Sequence, residues 1–259
     1  MGVFLSFCDF RNLVDVKWVG LDNYIAAFTS HIAKGVGDAK TLVPFDNNFV
    51  PAFWFTVMFT IVTVISVNVF AFALALLLTK GLKGTNVFRT IFFMPNLIGG
   101  IVLGWIWNVI INGILLDYGQ SIVSDPKYGF WGLVVLMNWQ NVGYMMVIYI
   151  AGLQSVPDSV MEASKIDGAN SWQTLIKIII PLSKAGIASG IIMVFVPSLT
   201  TFVISDILGG GKLLLIGNIV ENKVKADNLN LAAGLSLVLM IFIVINMLFS
   251  GNDESDSVK

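Results

Sequence analysis

Long uncharged stretches alternate with short polar links along this chain. Five stretches, residues 50–79, 91–116, 129–156, 185–205 and 229–250, contain no Asp, Glu, Lys or Arg. A bilayer core of about 30 Å takes about 20 helical residues at about 1.5 Å each, so each stretch is long enough to cross. Backbone groups in lipid need internal hydrogen bonds, which makes spans of this length helices. Met1 to Phe10 is apolar but short, with no basic start and no clear cleavage site, and is a poor signal peptide. It reads as the exit half of a membrane helix whose beginning lies outside the sequence. The pattern predicts an all-α fold: a polytopic membrane helical bundle with five full transmembrane helices plus a partial first one. Residues 1–49 form the partial helix and an external segment, 50–250 the transmembrane domain, and 251–259 an acidic tail expected to be disordered.

One polar link is patterned in its own right. Residues 155–183 read as helix, turn, helix between two spans. Ser155 can cap the first helix and Pro157 suits its first turn. Asp158 sits at the positive end of the helix dipole and Lys165 near the negative end. Gly168 is the natural stop, because glycine takes a left-handed conformation without steric penalty. Trp172, Leu175, Ile176 and Ile179 then recur at spacings of three and four, one apolar stripe, and Pro181 breaks the second helix before the next span.

Composition agrees with a membrane chain. It is 56% hydrophobic and 12% charged, against about 25% charge in soluble domains. A net charge of −1 without a basic run argues against a nucleic-acid partner. One cysteine, Cys8, excludes an internal disulfide, and the lone His31 has no visible ligand partners, so no metal site is expected. Lys80, Lys83 and Arg89 lie in the link between the first two spans, and Lys165, Lys177 and Lys184 in the 155–183 link, on the same side by alternation. This fits the positive-inside rule, although 11–49 and 206–228 are longer, mixed segments that also carry lysines.

The 155–183 link resembles the EAA loop of permease subunits of binding-protein-dependent ABC importers. That pattern is Glu-Ala-Ala, three residues, Gly, nine residues, Ile, one residue, Leu-Pro. Here it reads Glu162, Ala163, Ser164, then Gly168, Ile178, Ile180 and Pro181, with Ser164 for Ala and Ile180 for Leu. Asp167-Gly168-Ala169 is similar to the variant of carbohydrate importers. Gly20-Leu21-Asp22-Asn23-Tyr24 and the run from Phe88 to Pro95 carry the same likeness to malto-oligosaccharide, lactose and glycerol-phosphate permeases. Phe195 to Ser205 and Leu208 to Asn218 look more like polyamine importer permeases.

The resemblance implies the type I ABC importer permease fold and a multi-pass place in the plasma or inner membrane of a prokaryote. It implies a second permease subunit, in a heterodimer, two ATP-binding cassette ATPase subunits and an extracytoplasmic solute-binding protein, besides membrane lipid. It places Glu162, Ala163, Ser164, Asp167, Gly168, Ala169 and Pro181 in coupling to the ATPases. No cofactor is expected on this chain, and ATP is used by the partner subunits. Consistent with that, there is no Gly-x-x-x-x-Gly-Lys-Ser/Thr loop: before Gly211-Lys212, Asp206 stands where the first glycine belongs, and Leu213 where Ser or Thr belongs.

Polar residues inside the spans are the candidate pathway. Asn138, Asn141 and Tyr144 recur every three residues in the third span, and Trp105 and Asn108 lie in the second. Neutral donors and acceptors beside aromatic rings suit a polyhydroxylated solute. Equally, such groups join helices within bundles, and both readings stay open. Pro95 and Pro197 are expected to kink their spans. No Asp or Glu lies inside a span, which favours a neutral sugar over a polyamine, whose charges call for acids or several aromatic faces. A polytopic membrane enzyme would need clustered acids, His or Cys at a membrane edge, and a secondary transporter internal repeats and midplane charges. Neither pattern is evident.

Overall fold

The computed structural model describes residues 2–10, 16–28, 31–33, 42–44, 49–79 and 84–256. Lys80 and Lys83, like Arg11, Lys34 and Lys40, lie outside them. The described chain is helical apart from two small hairpins near its start, β1 (Cys8–Phe10) with β2 (Val16–Trp18) and β3 (His31–Ala33) with β4 (Leu42–Pro44). The expected partial membrane helix is a single turn, α1 (Gly2–Leu5), followed at once by β1. Ser6 closes that turn, with its hydroxyl donating to the Val3 carbonyl at 2.6 Å. The Gly20 phrase is a turn, with Gly20 at φ +60°, leading into the short helix α2 (Asp22–Phe28).

Among the described residues, three helices are long and apolar enough to cross a membrane unaided: α3 (Phe49–Leu78), α6 (Pro126–Gln154) and α13 (Leu229–Asp256), the last through its stretch Leu229–Met247. The predicted second span is a bent pair, and the predicted fourth span ends early. In the second, α4 (Thr85–Phe93) and a 3-10 turn (Met94–Leu97) meet α5 (Gly100–Leu116) at 98°. Pro95 has no N–H to give a continuing helix, and Gly99 and Gly100 follow it. In the fourth, α10 (Lys184–Thr200) stops short of Ser205; residues 201 and 202 leave the helix and a separate α11 (Val203–Gly209) follows. Counting the α4–α5 bent pair as one span, and Ser171–Leu182 with Gly186–Thr200 as another, gives five among the described residues. The tail expected to be disordered continues α13 as far as Asp256.

The chain divides into two compact units, and each long helix contributes one stretch to each. The first unit comprises residues 1–60, 104–133 and 198–244. A polar cluster is set into its apolar core. The buried Asn218, on α12 (Ile216–Lys225), accepts from the Ser205 hydroxyl at 2.8 Å and the Leu215 N–H at 3.1 Å, and donates to the Phe202 carbonyl at 2.9 Å. The Thr56 hydroxyl on α3 accepts from the Ile216 N–H at 2.9 Å. These bonds fix two short helices, α11 and α12, where the sequence predicts the end of the fourth span and a polar link. In the hairpin, the Asn23 amide donates to the Ser6 and Cys8 carbonyls, and Asn230 donates to Asp9.

The second unit comprises residues 61–103, 134–197 and 245–259. Val67, Ala71, Ala75 and Leu78 of α3 pack on Met145, Met146, Tyr149 and Ile150 of α6 and Val194 of α10. A buried tyrosine and a half-buried asparagine join at this apolar core: the Tyr149 hydroxyl donates to the Asn68 side-chain oxygen. Glycines set the helix separations. A Cβ at Gly190 would overlap the Tyr149 hydroxyl, and one at Gly143 would overlap the Phe92 backbone carbonyl. Gly152 of α6 and Gly186 of α10 face each other, with a Cβ on Gly152 falling 3.9 Å from the Gly186 Cα.

Candidate functional site

The 155–183 link folds as an elbow between α6 and α10. Its first arm is α7 (Asp158–Ile166), and it starts differently from expectation: Pro157, extended at φ −64° and ψ 135°, is the N-cap residue. The Ser155 hydroxyl instead donates back to the Gly152 carbonyl at 2.7 Å. Asp158 and Lys165 occupy the first and last turns, each opposing the helix dipole as the sequence suggests. Asp167 caps the C-terminus, and Gly168 follows at φ +78°. The Gly168 N–H bonds the Lys165 carbonyl at 3.1 Å and the Ala169 N–H the Ser164 carbonyl at 3.0 Å, which is a Schellman closure.

Asn170 then starts the second arm. Its side chain accepts from the Gln173 N–H at 2.8 Å, and the Gln173 side chain accepts from the Asn170 N–H at 2.9 Å. This capping box was readable as Asn-x-x-Gln and was missed in the sequence. The arm runs through α8 (Ser171–Thr174), a π-turn (Leu175–Ile179) and α9 (Ile180–Leu182). It ends one residue past Pro181, and lies at 73° to the following Gly186–Thr200 stretch.

Ser164 carries a second feature that the sequence did not signal. It is buried, its hydroxyl donates to the Met161 carbonyl at 2.8 Å, and it lies 3.4 Å from the buried Thr174 hydroxyl on the other arm. The departure from alanine in the Glu162-Ala163-Ser164 triplet thus links the two arms. Between them is a cavity of about 330 Å³, walled by Leu76, Met161, Leu175 and Ile179 with Lys165 and Trp172 among its lining. The expected apolar stripe is split. Leu175 and Ile179 are half-buried toward this cavity, whereas Trp172 and Ile176 are 71% and 59% exposed. Glu162, Ala163 and Asp167 are exposed, and Ile166 beside them is 86% exposed. Glu162 has no ion pair or hydrogen bond among the described residues.

The candidate pathway residues separate. Steps of three on a helix of about 3.6 residues per turn rotate by about 60° each, so Asn138, Asn141 and Tyr144 fan around α6. The Asn138 amide donates to the Ser66 hydroxyl at 2.9 Å and to Val134 on its own helix, and its side-chain oxygen is buried without a partner. The Asn141 amide donates to the Met137 carbonyl at 2.8 Å. The Tyr144 hydroxyl reaches Met193 Sδ at 3.4 Å, and its ring lies 6.4 Å from that of Phe93. In the other unit the Asn108 amide donates to the Leu208 carbonyl at 2.7 Å, one of the unpaired carbonyls ending α11. Asn112 donates to Asn108 and accepts from the Ile122 N–H. Trp105, on the same helix, is 65% exposed. No group of three or more His, Cys, Asp or Glu that could hold a metal occurs among the described residues.

Residues 47–251 match the family described as binding-protein-dependent transport system inner membrane component. The chain is 35% identical over 190 residues to the probable starch degradation products transport system permease protein AmyD of Thermoanaerobacterium thermosulfurigenes, covering 70% of this chain and 60% of that one. It is 27% identical to the multiple sugar-binding transport system permease protein MsmF of Streptococcus mutans, over 94% of this chain and 84% of the relative. The fold is similar to a chain in the crystal structure of a bacterial ABC transporter that imports the acidic polysaccharide alginate, with a TM-score of 0.73 at 16% identity over 93% of this chain and 85% of that one. The polyamine-like stretch finds no support in these matches. With a family match across every crossing helix and a fold of the type I ABC importer permease kind, the chain belongs to the binding-protein-dependent transport system inner membrane component family.

Proposed function

We propose that this chain is the membrane-spanning permease subunit of an ABC importer for a sugar, and that its elbow couples the solute pathway to separate ATPase subunits. The observation that carries the reading is the first arm of the elbow. Glu162 and Asp167 stand exposed around an almost bare Ile166, on a helix closed by Gly168 in an elbow that joins two crossing helices, α6 and α10. A charged, apolar-centred knob of this kind suits a protein groove. Glu162 pairs there with a basic residue, while Ala163, Ser164, Ala169 and Pro181 set the shape that carries it. The partners are a second permease, two ATPases that bind and hydrolyse the ATP, and an extracytoplasmic binding protein. Closure of the ATPases swings the crossing helices between inward- and outward-facing states, a two-state element biased by nucleotide and solute.

Sugar is favoured by the printed names of the relatives and by the absence of Asp and Glu from the crossing stretches. Within the pathway set the proposal rests first on Asn141, whose amide bonds only its own helix, since the Tyr144 hydroxyl already reaches Met193 on α10. Asn138 and Asn108 already donate to neighbouring elements, and Trp105 lies at an exposed surface. The test is ATP-driven uptake into proteoliposomes holding the assembled transporter, with labelled oligosaccharides and labelled spermidine offered separately. Oligosaccharide uptake that disappears with Glu162→Ala supports the reading. Spermidine uptake in its place would move the substrate to the polyamines.

A further inference from the structure

The two arms of the elbow differ in chemistry. The first carries Asp158, Glu162 and Asp167 against one cation, Lys165. The second, from Asn170 to Lys184, carries Lys177 and Lys184 and no acid. Trp172, Ile176 and Ile180 recur at steps of four and are exposed by 71%, 59% and 38%, with Trp172 also bordering the cavity between the arms. Lys177, next to Ile176, is exposed and has no ion pair among the described residues. The inward side is occupied: Thr174 is buried, and Leu175 and Ile179 turn to the cavity between the arms. The apolar row is therefore surplus to the packing of the elbow itself.

Geometry says what covers it. The arm is bent by 73° from the Gly186–Thr200 stretch of α10. With α10 crossing the bilayer, the arm runs much closer to the membrane plane than to its normal. Its last residues, Ile180 and Leu182, lie within a few residues of α10, so the row runs on toward a stretch apolar enough to cross the bilayer. Indole rings favour the interface between headgroups and acyl chains, and lysines on such a helix are drawn to anionic headgroups. A protein groove complementary to the acidic first arm has the wrong sign for the second.

We propose that residues 170–182 form an interfacial helix lying on an anionic phospholipid leaflet. Trp172, Ile176 and Ile180 sit at the boundary of headgroups and acyl chains, and Lys177 binds lipid phosphate. The elbow thus has two partners, protein on its first arm and lipid on its second, and the membrane surface sets the height at which the first arm is presented.

The test is depth measurement on the assembled transporter in nanodiscs, with Cys8→Ser removing the native thiol and single spin labels at Ile176→Cys or Ile166→Cys. Collision with oxygen reports lipid and collision with a nickel chelate reports water. The expected result is opposite order at the two sites: 176 favours oxygen and 166 favours nickel. Replacing part of the phosphatidylcholine by phosphatidylglycerol shifts 176 further toward oxygen, and Lys177→Glu abolishes that shift. A label at 176 as open to nickel as one at 166 overturns the proposal. So does a label shielded from both reagents only when the ATPase subunits are present, and so does a phosphatidylglycerol shift that survives Lys177→Glu. Uptake is not the readout, so these outcomes are independent of the coupling reading.

Discussion

Gly168 is where the elbow's geometry depends on a single backbone angle. At φ +78° an L-residue other than Gly places its Cβ against its own carbonyl, at about 1–2 kcal/mol, with less for Asn. A Cβ built at Gly168 has nothing within 4 Å, so the penalty is conformational and owes nothing to crowding. Relaxing to negative φ removes the Gly168–Lys165 and Ala169–Ser164 bonds and misdirects Asn170, whose capping box opens the second arm. About 1–2 kcal/mol corresponds to a factor of about 5–30 in the population of the native turn.

A series Gly168→Asn, Gly168→Ala and Gly168→Val separates this cause from bulk. Left-handed tolerance predicts coupled uptake falling in the order Gly, Asn, Ala, Val, with Asn retaining more than Ala although it is larger. Val, β-branched, should lose uptake altogether. The measurement is ATP-driven uptake into proteoliposomes, with ATPase rate and the amount of folded transporter determined on the same samples. Membrane insertion should be unchanged, because the turn lies outside the crossing helices. Ala equal to or better than Asn, or a ranking by side-chain volume, would refute the assignment of this turn to coupling. Unchanged uptake across the series would do so outright.

Three further outcomes follow from other contacts. Gly143→Ala should lower the thermal stability of the detergent-solubilised protein by about 1–3 kcal/mol or prevent its accumulation, because its Cβ would meet the Phe92 backbone and not a movable side chain; size-exclusion thermostability reads this. Asn218→Ala leaves the Ser205 hydroxyl, the Leu215 N–H and the Phe202 carbonyl without their shared partner, for a loss of about 1–3 kcal/mol by the same assay. Asn141→Leu should impair transport with ATPase association and stability intact, since its amide bonds only its own helix in this structure; normal transport kinetics would assign it to packing.

What the sequence made legible, and what it did not, divides by the range of the physics involved. Hydropathy is a running property, so the positions of α3, α6 and α13 were readable to within a few residues of their starts. The breaks were not, because hydropathy is blind to hydrogen-bond continuity. The stretch from Ile91 to Leu116 is uncharged throughout and still turns through 98° beyond Pro95. The elbow was legible where a local rule governs it: Gly168 needs its φ whatever surrounds it, and Asn170 with Gln173 satisfies the same kind of rule. Contacts across sequence were opaque. Nothing in the triplet Glu162-Ala163-Ser164 announces Thr174, and nothing in an every-third-residue pattern announces that Asn138 meets Ser66 while Tyr144 meets Met193. A period of three suggests one face only until the helical rotation is added, and that rotation sends the same three side chains to different neighbours. Ligand-facing polar residues inside a bundle must therefore be distinguished by where their hydrogen bonds end. By that measure Asn141 is the member of the candidate set whose amide engages only its own helix.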